Sequence, residues 1–167
     1  MVERSSAGLI IRRAKLEDYP ALCELNAEVD RLHACELPHL FHPTHSPSRD
    51  LDNFAALLEN PEVAYWVAEQ DGDLWGFLLS YLRQTPPIPV MVPRRYLVVD
   101  TLGVSPDWQR LGIGRMLVEE AERWAVENGA DSVELNVYAF NQGAIAFYRA
   151  LGYETLSHKM SKSLRSS

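Results

Sequence analysis

Residues 102–114 read LGVSPDWQRLGIG, and this stretch decides how the rest of the chain is interpreted. The residues before it, from Tyr96 to Val104, have the apolar and β-branched composition of a strand. After Gly112, apolar side chains recur at helical spacing as far as Glu127, which predicts an amphipathic helix. The two glycines of the stretch therefore lie in a turn between a strand and the beginning of a helix.

A turn at this position has the elements of an anion site. The first amides of a helix have no partner within the helix, and the macrodipole places positive charge at that end. Glycines at 112 and 114 let phosphate oxygens approach the backbone closely. From this motif alone the alternative stays open that Gly112 and Gly114 only allow a tight turn and close packing of the helix on the sheet.

Two better-known phosphate loops do not fit. A Walker loop needs Gly-Lys-Ser/Thr, whereas Gly112 is followed by Ile113 and Gly114. The dinucleotide fingerprint needs a third small residue at the position occupied by Leu117. An NAD-binding module is therefore the weaker interpretation of this turn.

The residues on both sides of this stretch alternate between strand and helix composition. Such alternation favours a mixed sheet with helices packed on its faces. Upstream, the predicted elements are a strand at 9–12, a helix from about 16 to 33, a helix from 51 capped by Ser48 or Asp50, a hairpin of strands 63–70 and 74–82, and a proline-rich loop at 85–93. Downstream, they are a strand at 133–138, a helix at 142–151 that stops at Gly152, and a last strand at 153–159.

Two motifs, in order and at consistent spacing, resemble the GCN5-related N-acetyltransferases (the GNAT family). They are Leu102-Gly103-Val104-x-Pro106 with Gln109-Arg110-x-Gly112-x-Gly114, and Asn141-x-x-Ala144-x-x-Phe147-Tyr148-x-x-Leu151-Gly152-Tyr153. The resemblance implies one α/β domain over residues 1–167, with a cofactor-binding half at about 95–153 and an acceptor-binding half at about 9–94. Its sheet is expected to be mixed, mostly antiparallel, six- or seven-stranded and splayed at the centre, with helices on both faces.

The resemblance also implies an activity. Members of the family transfer the acetyl group of acetyl-CoA directly to a primary amine through a ternary complex, and the acceptor here is expected to be a small molecule or a peptide. No metal is expected. The alternative is a non-catalytic acyl-CoA-binding sensor, which would keep the glycine turn and lack turnover.

In the family, backbone groups at positions matching Leu102 and Val104 pair with the pantetheine arm, and the amides from Arg110 to Arg115 hold the pyrophosphate. Gly103 lies inside a strand pattern, where glycine commonly marks a bulge or the close approach of a ligand. The predicted cofactor-binding residues are Leu102, Val104, Gln109, Arg110, Leu111, Gly112, Ile113, Gly114, Arg115, Asn141, Ala144, Phe147 and Tyr148.

Tyr148 is the candidate acid. In the family, a tyrosine at the matching position protonates or hydrogen-bonds the departing thiolate. Helical spacing places Tyr148 on the face of Asn141, so both polar groups are expected at one site. The alternative is that Tyr148 is a half-buried aromatic beside Phe147, and that Asn141 only caps its helix.

Asp100 is the candidate base. An alkylammonium with a pKa near ~10 is only about 0.1% neutral at pH 7, so a base or a water chain to one helps. Strand alternation predicts that Asp100 lies on the face of Leu102 and Val104, near the thioester. Alternatively, its carboxylate pairs with Arg94 or Arg95, or faces solvent.

Other polar residues are weaker candidates. Glu134 and Asn136 lie on the strand where some relatives carry a base, and asparagine cannot take up a proton. His39, His42 and His45 lie in a loop whose prolines prevent a helical alignment, so we do not expect them to bind metal. The resemblance implies that this segment, between the first two helices, covers the acceptor, so the three histidines are expected to line the acceptor pocket, or otherwise to lie on the surface.

The composition of the chain limits the classes of partner and the cellular location that we expect. A formal charge of -7 opposes nucleic-acid binding and favours cationic partners such as amines. Cys23 and Cys35 are expected to be reduced thiols. The sequence shows neither a signal peptide nor a long apolar run, so we expect a cytoplasmic protein without membrane contact. Family habit adds the expectation of a homodimer.

Overall fold

The protein is described from a computed structural model that covers residues 8–42 and 50–164. This part of the chain divides into two compact units, the first ending at Asn136 and the second beginning at Val137. The first unit contains β1 (Ile10–Arg13), α1 (Tyr19–Glu36), α2 (Leu51–Glu59), β2 (Val63–Gln70), β3 (Asp73–Gln84), β4 (Arg95–Val104), α3 (Ile113–Glu127) and β5 (Ser132–Leu135). The second unit contains α4 (Gln142–Ala150).

The sheet of the first unit has the order β1-β2-β3-β4-β5. Neighbouring strands are antiparallel except for β4 and β5, which are parallel and joined through α3. The hairpin turn between β2 and β3 places both Asp71 and Gly72 at positive φ, 56° and 90°, as a two-residue turn that matches strand twist requires. The predicted mixed, mostly antiparallel α/β sheet is therefore confirmed.

Helices cover both faces of this sheet. A Cβ added to Gly76 of β3 would lie 3.1 Å from Ile113 Cγ2 in α3. A Cβ added to Gly103, which pairs with Phe77, would lie 2.6 Å from Phe77 Cε1 and 3.0 Å from Val29 Cγ2 in α1. Because Gly76 and Phe77 are consecutive strand residues, their side-chain positions point to opposite faces. The helix α3 packs on one face and α1 on the other.

The core on the α1 face is aromatic at its centre. Phe54 of α2 packs edge-on against Tyr65 of β2 with ring centroids 5.6 Å apart, and Tyr65 packs on Phe77 at 6.0 Å. The buried amide of Asn26 in α1 donates to Tyr65 Oη at 3.0 Å, so this polar group has a partner inside the core. The aromatic cluster fixes α1 and α2 against β2 and β3, and truncating a side chain such as Phe77 to Ala is expected to cost about 3–5 kcal/mol.

An arginine between two indole rings anchors the other helix. The guanidinium carbon of Arg13 lies 4.6 Å from the ring centroid of Trp66 in β2 and 4.9 Å from that of Trp124 in α3. Such cation–π contacts contribute about 0.5–2 kcal/mol each. These contacts hold the second half of α3 against the edge of the sheet. The first turn of α3 lies at the other end of the helix, close to the end of β4.

The strand count differs from the expected six or seven. The described residues form five strands, β5 ends at Leu135 rather than Tyr138, and 153–159, predicted as a last strand, contains no strand. Pairing between β4 and β5 runs only from Tyr96 to Val99, while β4 continues to Val104. Residues 100–104 of β4 therefore have no β5 partner, which is the opening that a splayed sheet implies.

Among the helices of the described residues, none combines the length and apolarity that crossing a membrane requires.

Candidate active site

Two stacked indole rings pack at the beginning of the turn after β4. Pro106–Trp108 forms a short 3-10 helix, and Trp108 stacks on Trp75 with ring centroids 4.6 Å apart and an angle of 21° between the planes. The amide of Ser105 donates to the carbonyl of Trp75 at 2.9 Å. The chain therefore leaves β4 along a fixed path into the glycine turn.

Two residues of this turn have left-handed backbone conformations. Arg110 has a φ of 64° and Gly112 a φ of 85°. Gly112 is the N-cap of α3, and no side chain caps this end of the helix. A Cβ added to Gly112 would meet no atom within 4 Å, so this glycine serves the backbone conformation and not close packing. The amides of the first turn of α3 are left without a side-chain cap, as an anion site requires.

The side chains of the turn have separate contacts. Gln109 Nε2 donates to the carbonyl of Val104 at 3.1 Å and so ties the turn to the end of β4. Arg115 lies 3.7 Å from Glu119, and both side chains are more than half exposed, so this pair contributes little to stability. Arg110 is exposed, whereas Ile113 is buried against the sheet. The polar part of the turn that faces outward is thus mainly backbone.

Gly76 is a residue that the sequence analysis missed. Besides Ile113 Cγ2, a Cβ at Gly76 would lie 3.1 Å from the carbonyl oxygen of Gly103 and 3.3 Å from Leu117 Cδ1. The missing side chain lets the first turn of α3 sit directly on β3. The available signal was a glycine inside a strand pattern, which indicates a close approach of another backbone or helix.

Asp100 occupies a β-bulge. Ser80 of β3 pairs with Val99 and Leu79 pairs with Thr101, so Asp100 is the extra residue of β4. Its carboxylate accepts a hydrogen bond from Thr101 Oγ1 at 2.9 Å. The bulge therefore lies at Asp100 and not at Gly103, where core side chains fill the space that a Cβ would occupy.

The bulge also reverses the predicted orientation of Asp100. Leu102 pairs with Leu78, on the face that α3 covers, whereas Asp100 lines a cavity together with Leu79 and Tyr81 on the opposite face. The prediction that Asp100 shares a face with Leu102 and Val104 is thus wrong. One extra residue shifts the two-residue alternation of side chains by one position.

That cavity lies between α2 and the strands β3 and β4 and has a volume of about 440 Å³. Its lining combines acidic, amide, aromatic and aliphatic groups, which is the mixture of an apolar wall with a few polar groups that is typical of small-ligand sites. The lining residues are Asp50, Asn53, Phe54, Ala56, Leu57, Asn60, Leu79, Tyr81 and Asp100. The α2 residues of this set were also missed, because only the tertiary packing brings them to Asp100.

The other acidic candidate for the base, Glu134, forms an ion pair with an arginine. Glu134 Oε1 accepts from Arg94 at 2.9 Å, and Arg95 donates to both carboxylate oxygens of Glu62 at 3.0 Å. The alternative that Asp100 pairs with Arg94 or Arg95 is therefore not what the structure contains. Asn136 is exposed at the end of the first unit.

In the second unit, Tyr148 lies in the last turn of α4, and backbone hydrogen bonds close this end of the helix. At the other end of α4, Asn141 Oδ1 accepts from the amide of Ala144 at 3.0 Å, so Asn141 is the N-cap of the helix. The amide of Tyr153 donates to the carbonyl of Tyr148, and that of Gly152 to the carbonyl of Arg149, both at 3.0 Å. This is the Schellman pattern, with Gly152 at a φ of 91°.

The ring of Tyr148 packs against two other aromatic rings. Its centroid lies 5.0 Å from that of Phe147 and 5.5 Å from that of Tyr153, both in edge-on arrangements. Burial raises the pKa of Tyr148 from its usual value near 10 to about 12. The phenol therefore keeps its proton throughout the physiological pH range and is available as a hydrogen-bond donor.

Of the predicted histidines, the two that belong to the described residues, His39 and His42, do not line the cavity beside α2. His33 packs on Phe41 with ring centroids 5.3 Å apart, near His39 and His42 along the chain. His45 lies outside the described residues.

The chain is similar to known acetyltransferases. A family model for the acetyltransferase (GNAT) family matches residues 19–153. An uncharacterized N-acetyltransferase of Methanocaldococcus jannaschii is 33% identical over 101 residues, which are 60% of this chain and 43% of that protein. The L-amino acid N-acetyltransferase AaaT of Escherichia coli is 28% identical over 152 residues, 87% of this chain and 83% of that protein.

A solved structure agrees with these relatives. The crystal structure of a mutant of the BH1408 protein from Bacillus halodurans superposes with a TM-score of 0.89 at 28% identity, covering 93% of this chain and 99% of that one. The chain thus spans less than half of the archaeal relative and nearly all of the bacterial structure.

Proposed function

Because the chain belongs to the acetyltransferase (GNAT) family and is an acyltransferase, we propose that it transfers the acetyl group of acetyl-CoA directly to a primary amine of a small molecule or peptide. One observation carries the proposal. The helix α3 begins, without a side-chain cap, at a turn with two left-handed residues, beside the stretch of β4 that has no β5 partner in the described chain.

The residues of the turn fit a pyrophosphate. The space in front of Gly112 is open, and the amides of Ile113, Gly114 and Arg115 belong to the first turn of α3. Backbone donors of this kind bind phosphate oxygens without the desolvation of a buried side-chain charge. Arg110 and Arg115 add positive charge at the rim. When bound, acetyl-CoA supplies the acetyl group as a thioester, and backbone groups of Leu102 and Val104 orient its arm.

The chain's own residues then handle two protons. Asp100 attracts the acceptor's ammonium into the cavity beside α2 and accepts its proton at a carboxylate oxygen, directly or through water. Tyr148 Oη is protonated because its pKa is raised, and it donates a hydrogen bond to the sulfur as CoA leaves as a thiolate, which then takes up the phenol proton that solvent replaces. Asn141 and Ala144 contribute the N-terminal turn of the same helix, and Phe147 packs on the ring of Tyr148.

The proposal includes three properties that the sequence led us to expect. The reaction needs no metal, because a carboxylate and a phenol suffice for its proton transfers. The protein works as a homodimer in the cytoplasm, where acetyl-CoA is available. Neither nucleic acid nor a membrane is a partner.

A thermal-shift experiment tests the cofactor site. We expect acetyl-CoA at 100 times its Kd to raise the Tm by about 5–10 °C, which corresponds to ligand stabilisation of about 2.7 kcal/mol. Gly112→Val should remove this increment, because a branched side chain at a φ of 85° displaces the turn. Gly129→Val is the matched control, since Gly129 has a φ of 78° and open space at the other end of α3.

The increment in Tm is measured relative to each variant's own ligand-free Tm. The loss of stability that both substitutions cause at a left-handed glycine therefore cancels in the comparison. An equal increment in both variants would place the cofactor elsewhere. Thiol release from acetyl-CoA with added amines then separates an enzyme from an acyl-CoA-binding sensor, which would show the Tm increment without turnover. An increment with NAD and none with acetyl-CoA would favour the dinucleotide module.

A further inference from the structure

The cavity beside α2 has a charge pattern that restricts its ligand. Of the nine lining residues that belong to the described ranges 8–42 and 50–164, Asp50 and Asp100 carry carboxylates, and none is a lysine, arginine or histidine. The remaining polar groups are the amides of Asn53 and Asn60 and the phenol of Tyr81. The described part of the lining is therefore acidic, with uncharged walls between its two carboxylates.

Within the part of the chain that the structure describes, neither carboxylate forms an ion pair. Both oxygens of Asp50 accept from Asn53, its backbone amide at 2.8 Å and its side-chain amide at 2.6 Å. Asp100 accepts from the hydroxyl of Thr101. These donors are neutral, so they orient the carboxylates and leave their charge available to a cation.

The apolar walls of the cavity indicate the chemical character of the uncharged part of the ligand. Phe54, Leu57 and Leu79 line the cavity between the acidic groups, and Phe54 and Leu79 are themselves buried in the core. An aliphatic chain fits such walls, whereas a bare inorganic cation gains nothing from them. A carboxylate on the ligand would face the like charges of Asp50 and Asp100, which disfavours it.

We propose that the acceptor of this enzyme is an aliphatic amine that carries a second positive charge and no carboxylate, a diamine or polyamine in chemical class. Asp100 receives the reacting ammonium and Asp50 the distal one. The inference rests on the proposed acetyl transfer, and it goes further by excluding amino acids, the substrates named for the Escherichia coli relative.

Among the described residues, Arg83 is a cation near the cavity and provides the competing possibility. The guanidinium carbon of Arg83 lies 4.8 Å from the ring centroid of Tyr81, on the strand that lines the cavity, although Arg83 is not itself a lining residue. If Arg83 swung past Tyr81 it would recognise a carboxylate. The experiment therefore compares acceptors that differ in charge alone.

Three four-carbon acceptors make this comparison in a thiol-release assay: 1,4-diaminobutane, butylamine and 4-aminobutanoate. We expect kcat/KM for the diamine to exceed that for butylamine by about fivefold or more, and that for 4-aminobutanoate to fall about tenfold below butylamine. The KM for acetyl-CoA should be the same with all three.

Substitutions at Ala56 then vary the charge of the cavity without touching the proposed catalytic groups. Ala56 is an exposed lining residue in the middle of α2, and Glu, Gln and Lys are all good helix formers. Relative to Ala56→Gln, we expect Ala56→Glu to raise and Ala56→Lys to lower kcat/KM for the diamine by about three- to fivefold. The order should reverse for 4-aminobutanoate.

The outcomes separate the inference from the proposed function. An acetyl-CoA-dependent rise in Tm with a preference for 4-aminobutanoate that Arg83→Gln removes would overturn the diamine assignment and leave acetyl transfer intact. Equal kcat/KM for all three acceptors, or no response to the Ala56 series, would also overturn it. The absence of both the rise in Tm and thiol release with any amine would instead refute the proposed function.

Discussion

At the residue scale, Tyr148 depends on neighbours that hold its ring. The amide of Tyr153 closes the end of α4 on the carbonyl of Tyr148, and the two rings pack edge-on, which is the apolar contact that often accompanies a Schellman end. Gly152 makes this end possible because its left-handed backbone costs little without a Cβ. The hydroxyl of Tyr148 is therefore carried by a ring with little freedom.

Tyr148→Phe should lower kcat by about 10²-fold or more, since that is the low end for losing an acid catalyst, while the acetyl-CoA-induced rise in Tm changes little. Phenylalanine keeps the packing on Phe147 and Tyr153, so the fold persists. Tyr153→Phe is the control and should retain native kcat. Because the pKa of Tyr148 is raised to about 12, its loss of the proton should not lower kcat as the pH rises to about 11.

A Tyr148→Phe variant with near-native kcat, measured where chemistry is rate-limiting, would remove Tyr148 from the mechanism. A fall in kcat centred near pH 10 in the native enzyme, absent from the variant, would show that Tyr148 titrates as an exposed phenol and would contradict the packing described.

At the scale of elements, the first turn of α3 owes its position to Gly76 in β3. Gly76→Ala introduces a Cβ about as close to Ile113 Cγ2 as to a backbone oxygen, 3.1 Å in each case, so helix and strand must separate by a few tenths of an ångström. We expect a loss of stability of about 1–3 kcal/mol and a several-fold rise in the KM for acetyl-CoA, with kcat less affected.

The double variant Gly76→Ala with Ile113→Leu tests this reason, because leucine lacks the Cγ2 methyl that Ile113 directs at Gly76. It should recover part of the acetyl-CoA affinity. If Gly76→Ala lowers the Tm and leaves the KM for acetyl-CoA unchanged, the position of α3 is not what sets cofactor binding.

At the scale of the whole molecule, the loop between β3 and β4 exposes apolar side chains. Ile88, Val90 and Val92 are 51%, 85% and 72% exposed. Several largely exposed apolar side chains within one short loop are a feature that interfaces commonly have. It supports the expectation of a homodimer, which otherwise rests on family habit.

Light scattering at micromolar concentration should therefore give twice the mass of the chain, and the double variant Val90→Asn with Val92→Asn should shift the protein toward monomer. Val126→Asn changes an equally exposed valine on α3 and serves as the control. A native protein that is monomeric throughout this concentration range would refute the dimer.

Much of the fold is already determined by local sequence. Helical periodicity after Gly112 predicts α3, the Asp71-Gly72 turn predicts the β2–β3 hairpin, and Asn141 and Gly152 bound α4. These features depend on capping, turn conformation and side-chain periodicity within a few residues, so they can be predicted without knowing what packs against them. The glycine turn between β4 and α3 is of the same kind.

The orientation of Asp100 and the cavity beside α2 were decided by tertiary structure alone. Strand alternation placed Asp100 on the wrong face because the bulge arises from how β4 pairs with β3, and nothing in the residues of β4 marks it. Gly103 and Gly76, two glycines in strands, take their roles from helices packed on opposite faces. Pairing register and helix packing join residues far apart in sequence, and a local pattern contains no information about which of them will meet.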